Sequence, residues 1–299
     1  MKTPPVLHGS FTLERTYKAS PARVFAAWAD IDLKARWFIG PPATWTLLER
    51  QLDFRVGGEE ILHGQFRGGR VARFVARYHV VIPNERLLYV YDMWIDGQHF
   101  SVSLATVEFT ATDRGGTRMT FTEQAAFFDG KDGTTSRRSG TAAHFKRIAP
   151  VVEDPSEVVS SRVFDAPRER VFAAFSDPAQ LAQWWGPQGF TNTFHEFGLR
   201  PGGAWRFVMH SPDGTDYQLT KHFVDVVSPE RVVLQHVQPV HGFRMAMSFV
   251  EVGSQTLLVW RMRFESVEEA ERVREFVAGA NEENFDRLET HLAAANVTH

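Results

Sequence analysis

Aromatic side chains are the residues of this sequence best placed to do chemistry. Two adjacent pairs lead, Trp37-Phe38 and Trp184-Trp185. Trp94, Trp205 and Trp260 stand inside strand-like runs, and Met245 and Met247 alternate with Ala246 and so share a face. Rings and thioethers do noncovalent work: they enclose an apolar or aromatic molecule, and methionine adapts to an irregular one. Asn284, with Asn281 near it, interrupts an apolar helical stripe and offers such a ligand a polar contact. The competing use of the aromatics and methionines is plain core packing, and for Asn284 a position at the solvent edge.

Covalent and metal chemistry has fewer supports. The 12 histidines are scattered: His236 and His241 flank a turn, while His195, His210 and His222 lie on strand-like runs. None has the H-x-x-x-H spacing that puts two ligands on one helix face. A three-histidine site from separate strands, or a histidine base near its ordinary pKa of about 6.5, are the options left. Cysteine is absent, which removes disulfides, thiol nucleophiles and thiolate metal sites and fits a reducing cytoplasm. Asp129-Gly130-Lys131-Asp132-Gly133 lacks the third acidic ligand and closing glutamate of a calcium loop. The Gly-Gly pairs at 57–58, 68–69, 115–116 and 202–203 are turns, not phosphate cradles, and no G-x-S-x-G elbow occurs. The expectation is no metal, no cofactor and no assignable catalytic residue.

The elements that position these residues occur twice. Ala19-Ser20-Pro21-Ala22-Arg23-Val24-Phe25-Ala26-Ala27-Trp28 returns as Ala166-Pro167-Arg168-Glu169-Arg170-Val171-Phe172-Ala173-Ala174-Phe175, and Trp37 returns as Trp184. Arg55-Val56-Gly57-Gly58 answers to Arg200-Pro201-Gly202-Gly203, and Pro83-Asn84-Glu85-Arg86 to Ser228-Pro229-Glu230-Arg231. Gly116-Thr117 answers to Gln255-Thr256, and His144-Phe145-Lys146-Arg147 to Asn284-Phe285-Asp286-Arg287. A repeat of this length is a domain, since solenoid units run about 20–50 residues. We expect one domain over 1–150, a proline-bounded linker at 151–155, and a second domain over 156–299.

Each half reads as a strand, two short helices, six strands and a closing helix. Ser10–Tyr17 alternates as a strand does. Ser20 caps a helix with Pro21 at its first position. Short turns such as Arg67-Gly68-Gly69-Arg70 and Asp96-Gly97 join sequential strands, which makes the sheet antiparallel. The closing helix is short and weak over Arg137–Ala149 and long over Val267–Ala295. A curled sheet wrapped on such a helix leaves a gap suited to a ligand.

Composition narrows the partners. At 43% hydrophobic and 23% charged residues the chain reads as an ordinary globular protein. A net charge of −3 gives no basic surface for nucleic acid. No apolar run reaches the roughly 18 residues of a membrane span, and the start shows no signal-peptide core.

The blocks A-x-P-x-x-V-F-x-A-[WF], [WF]-W-G-P, R-P-G-G and the Pro-x-Glu-Arg turn resemble the START-like (SRPBCC, birch-pollen-allergen-like) superfamily. More narrowly they resemble the family named after the C-terminal domain of the Aha-type activator of the heat-shock chaperone ATPase. Phe38 and Ile39 depart from that pattern, since the second copy has Trp185 and Gly186 there. The resemblance implies an α+β fold: two tandem helix-grip domains, each a curved antiparallel sheet of about six or seven strands wrapped on a C-terminal helix with two short helices. It implies an internal cavity with the Trp37 and Trp184 pairs at its mouth. It does not fix an activity, because the superfamily hosts carriers, cyclases, hydrolase-like enzymes and resistance proteins. Three readings follow: a cytoplasmic protein binding small hydrophobic or aromatic molecules, lipid or polyketide-like; a cyclase- or hydrolase-like enzyme with an acid–base pair in the cavity; and a chaperone-activating module with an exposed protein-binding face. The first is preferred, with self-protection against a toxic metabolite as a variant of it. The second domain, with the longer helix, is expected to hold the more open pocket.

Overall fold

Strict alternation builds the strand that opens each half. In β1 (Leu7–Tyr17) Phe11, Leu13 and Tyr17 turn inward while Thr12, Glu14 and Thr16 face solvent. Ser20 caps α1 (Pro21–Ala29) by accepting from the Arg23 N–H, and Asp30 caps α2 (Ile31–Trp37) by accepting from the Leu33 N–H at 2.8 Å. Six strands follow: β2 (Trp45–Leu52), β3 (Glu59–Phe66), β4 (Val71–Ile82), β5 (Arg86–Ile95), β6 (Gln98–Ala111) and β7 (Thr117–Phe127). Helices α3 (Thr134–Lys146) and α4 (Ala149–Val152) complete the half.

The computed structural model describes residues 4–113, 115–238 and 242–294. It divides into two units, Met1–Asp154 and Pro155–His299. Unit two runs β8 (Glu157–Phe164), α5 (Arg168–Ser176), α6 (Pro178–Trp184), β9 (Thr191–Phe197), β10 (Ala204–His210), β11 (Asp216–Val227), β12 (Arg231–Gln238), β13 (Phe243–Val252), β14 (Gln255–Phe264) and α7 (Val267–Ala294). Each sheet has seven antiparallel strands, ordered β1-β7-β6-β5-β4-β3-β2 in unit one and β8-β14-β13-β12-β11-β10-β9 in unit two. The first two helices of each unit carry the chain from one sheet edge to the other. The strands then return one by one until the last lies beside the first.

Two of the repeated motifs set the register. Gly57 and Gly202 take φ of +80° and +78°, and a Cβ on Gly58 or Gly203 would lie 2.2 or 1.8 Å from a carbonyl oxygen. The turn pins the next strand: Gly57 and Gly202 donate to the carbonyls of Tyr78 and Phe223. The other motif closes the corner after the first strand. Buried Thr117 donates its hydroxyl to the Ala19 carbonyl and buried Thr256 to the Ala166 carbonyl, both at 2.7 Å.

The terminal helices differ as expected, 13 residues in α3 against 28 in α7, which spans about 40 Å. Residues 150–155 depart from a simple linker. Their first part is α4, whose Val151 and Val152 are buried, and Arg36 holds Asp154 at 3.1 Å. Apolar side chains within reach of a core override the prolines that flank them.

Replacing Thr256 by Val keeps the shape and leaves the Ala166 carbonyl without its donor. Urea denaturation of the variant should show a loss of about 1–3 kcal/mol in unit two, and Thr256→Ser should recover most of it.

Candidate functional site

Each unit encloses a cavity between its sheet and its terminal helix, of about 430 Å³ in unit one and about 410 Å³ in unit two. The two volumes are nearly equal although α3 is much shorter than α7. Corresponding helix positions face the two cavities: Ser136, Arg137, Gly140, Thr141 and His144 on α3, and Phe276, Val277, Ala280, Asn281 and Asn284 on α7. The recurrence of one, three and four is a single helix face.

One indole fixes the second short helix beside each cavity. Trp37 donates Nε1–H to the Ala27 carbonyl at 2.7 Å, and Trp184 to the Ala174 carbonyl at 2.9 Å. Both rings are fully buried; the next residue, Phe38 or Trp185, faces the cavity, and in unit one Trp37 lines it too. The terminal helix then holds the loop that follows. His144 donates from Nδ1 to the Trp37 carbonyl at 3.2 Å, and the Asn284 Oδ1 accepts from the Gly186 N–H at 2.7 Å. Arg287 donates to the carbonyls of Gln183, Gly186 and Pro187, each at 2.9 Å. Burial pushes the His144 imidazole down to about 4, against the pull of the Trp37 carbonyl, so it is neutral at pH 7.

The polar content of the two cavities is opposite in kind. In unit one, Lys34 reaches the Glu60 carboxylate at 2.6 Å, and Tyr78 donates to the same oxygen at 2.6 Å. Burial lowers the Lys34 pKa and Glu60 counters it; burial and then Glu60 raise that of Tyr78. A second cluster joins Glu123 to Tyr91 at 2.7 Å, Ser103 at 2.9 Å and Arg137 at 3.1 Å. Both cations of this cavity, Lys34 and Arg137, therefore meet a buried carboxylate. Trp45 adds a further wall, its ring lying where a Cβ on Gly40 or Gly64 would be.

Among the described residues of unit two one lysine, Lys221 on β11, is buried. Its ammonium lies 4.4 Å from the Trp185 ring, 4.7 Å from Trp205 and 5.5 Å from Phe207. Among the described residues no carboxylate and no hydrogen-bond acceptor meets it, and no Asp or Glu lines this cavity. Burial alone pushes its pKa down to about 7. Register shows how the units diverge. Glu60 pairs across the sheet with Ala76, and Trp205 pairs with Lys221. The carboxylate of unit one is thus replaced by an indole, and the lysine arrives from the neighbouring strand instead of from α2.

Of the sequence candidates, Trp37 and Phe38 line cavity one, and Trp185, Met245, Trp260 and Asn284 line cavity two. Four do not. Trp94 is turned away because its neighbour Met93 faces the cavity; it stacks on His99 at 4.3 Å instead. Trp184 is spent on its carbonyl bond. Trp205 and Met247 are fully buried core, Trp205 lying behind Lys221. Asn284 lines the cavity, but its amide is used up on Gly186 and the Ala280 carbonyl. His236 lines cavity two, stacked on Phe243 at 4.8 Å, while His241 lies outside the described residues. Among the described residues no group of three His, Asp or Glu side chains could hold a metal ion, and no helix is long and apolar enough to cross a membrane.

Sequence reading passed over Lys34, Glu60, Glu123, Arg137 and Lys221. A signal existed for three of them. Glu60, Glu123 and Lys221 occupy inward positions of their strands, in step with Leu62, Phe121 and Phe223. A charge in step with apolar neighbours marks a buried ion.

Breaking the unit-one pair should be costly and removing it whole should not. Glu60→Leu leaves Lys34 buried and uncompensated, with an expected loss of about 3–5 kcal/mol by urea denaturation. Replacing Lys34, Glu60 and Tyr78 together by Leu, Trp and Phe, their counterparts in unit two, should recover most of that loss. Lys221 carries a pH signature. Its folded pKa lies below the ordinary 10.5, so between about 7 and 10.5 the unfolded chain binds a proton that the folded unit lacks. Stability of unit two therefore rises with pH across that window. Tyr217 on the same strand and His236 on β12 are the other titratable groups of the cavity wall. Lys221→Met should be more stable than the wild type near pH 7, and the gap should close towards pH 10 in paired denaturation curves.

Comparison with known proteins agrees with this geometry. The family model of the Activator of Hsp90 ATPase homolog 1-like protein matches residues 18–153 and again 165–293. Similar solved structures include a protein from Rhizobium loti, 41% identical over 49% of this chain and 99% of that one, with a TM-score of 0.46. Another, from Rhizobium leguminosarum, is 36% identical over 50% of this chain and 97% of that one, with a TM-score of 0.48. Each corresponds in length to about one unit. No curated protein matches. With both halves matched, the chain belongs to the Activator of Hsp90 ATPase homolog 1-like protein family, as a tandem of two copies.

Proposed function

We propose that the protein binds small hydrophobic or aromatic molecules, lipid or polyketide-like, inside its two cavities. The observation that carries this reading is cavity two: about 410 Å³ walled by Trp185, Phe190, Met245, Trp260, Met262 and Phe264, with no carboxylate among the described residues of its lining. A volume of this size lies within the usual range for small-molecule sites, and aromatic walls supply most of their affinity. A cyclase- or hydrolase-like enzyme needs an acid and a base converging on one point. Among the described residues no carboxylate lines cavity two, and in cavity one Lys34 and Glu60 are bonded to each other. The family's name alone speaks for a chaperone-activating module. Neither cofactor nor metal is needed for binding, and the absence of cysteine suits a cytoplasmic setting.

Native mass spectrometry of the freshly purified chain, followed by denaturing extraction, tests this directly. A lipid or aromatic compound should be released at one or two per chain. Ala280→Phe and Gly140→Phe introduce rings at wall positions of cavities two and one, and a Cβ at Gly140 meets nothing within 4 Å. Each variant should lose its share of bound ligand, and the double variant all of it. A clean apo mass with no uptake from a panel of fatty acids and polycyclic aromatics would overturn the reading.

A further inference from the structure

The two cavities treat a buried cation differently, and the difference has a chemical meaning. A charged ammonium taken out of water is tolerated when a carboxylate meets it, as Glu60 meets Lys34. Lys221 is only 4% exposed and has three aromatic faces but no anion. Cation–π contacts offset part of the desolvation and leave the positive charge uncompensated. A protein that needed only an apolar wall at this inward position of β11 would gain stability from a Leu or Met there, as unit one does with Ala76.

The cavity also has direction. Lys221 lies at its buried end against the core residues Trp205 and Phe207. Phe276, 76% exposed, and Tyr217 stand on its outer lining. A ligand entering past Phe276 meets aromatic and methionine side chains first and the ammonium last.

We infer that cavity two is a site for an amphiphilic organic acid, with Lys221 as the group that receives its carboxylate and the aromatic walls holding its apolar body. This rests on the cavity-binding reading above and narrows it to a substrate class. One cation calls for a monoanion. A dianionic phosphate would bring a second charge for which the wall offers no further Lys or Arg. Bound carboxylate would restore to Lys221 the partner that Glu60 gives Lys34, and the ammonium form depressed by burial would be favoured again. No bond is made or broken, and release returns both partners unchanged.

The test compares decanoate with decanol, equal in chain length and unequal in charge. Both are titrated into the full chain carrying Gly140→Phe, so that cavity two alone is read, by displacement of the neutral fluorophore N-phenyl-1-naphthylamine. Decanoate should bind about tenfold or more tightly than decanol, the worth of a charge-assisted hydrogen bond in a dry site. Adding Lys221→Met should abolish that preference while the fluorophore and decanol still bind. Lys221→Gln gives the same reading should the Met variant not fold. Equal affinity for acid and alcohol with Lys221 present, or a preference that survives its loss, overturns the inference and leaves apolar binding standing. If the fluorophore, decanoate and decanol all fail to bind, the cavity reading falls and this inference with it.

Discussion

Everything at the two cavities depends on one hydrogen bond, from an indole N–H to a carbonyl ten residues earlier, Trp37 to Ala27 and Trp184 to Ala174. It locks the second short helix against the first inside a dry core. The bond gives the indole one orientation. That orientation aims the following residue, Phe38 or Trp185, at the cavity. The terminal helix completes the frame by holding the next loop through His144 or Asn284. The repeated Trp is therefore part of the scaffold and its neighbour part of the wall, Trp37 serving as both.

On that shared frame the units solve one electrostatic problem in two ways. Both bring a lysine ammonium among the aromatic rings at the inner end of the cavity. Unit one neutralises it internally, with a carboxylate from the adjoining strand and a tyrosine to share the oxygen. Unit two sets aromatic carbon in those places, and among the described residues no carboxylate meets the cation. A buried ion pair adds little net stability over an apolar core. The scaffold can therefore exchange one arrangement for the other without losing the fold.

The second paired ion cluster, Arg137 with Glu123, makes the contrast sharper. It places a guanidinium on the helix face where unit two has Val277. Cavity one is polar and internally compensated; cavity two is apolar with one open charge. We propose that the chain holds two sites of different taste on one architecture, which a single copy could not offer.

The sequence by itself determined the tandem repeat and nearly every strand, because turn chemistry and alternation are local. Bounds such as β3 at Glu59–Phe66 and β4 at Val71–Ile82 follow from the Gly-Gly turns and period-two burial. It also supplied the aromatic walls as a class, with Phe38, Trp185, Met245 and Trp260 among them. Tertiary structure decided which of two faces a strand residue takes next to a bulge, and so removed Trp94, whose register shifts beside Met93. It decided that the Asn284 amide is spent on backbone. Above all it decided which buried charge has a partner. Lys34 reaches Glu60 from a helix, 26 residues away in sequence, whereas Lys221 meets Trp205 across the sheet. Pairing across a sheet is set by register between strands, and no local pattern encodes it.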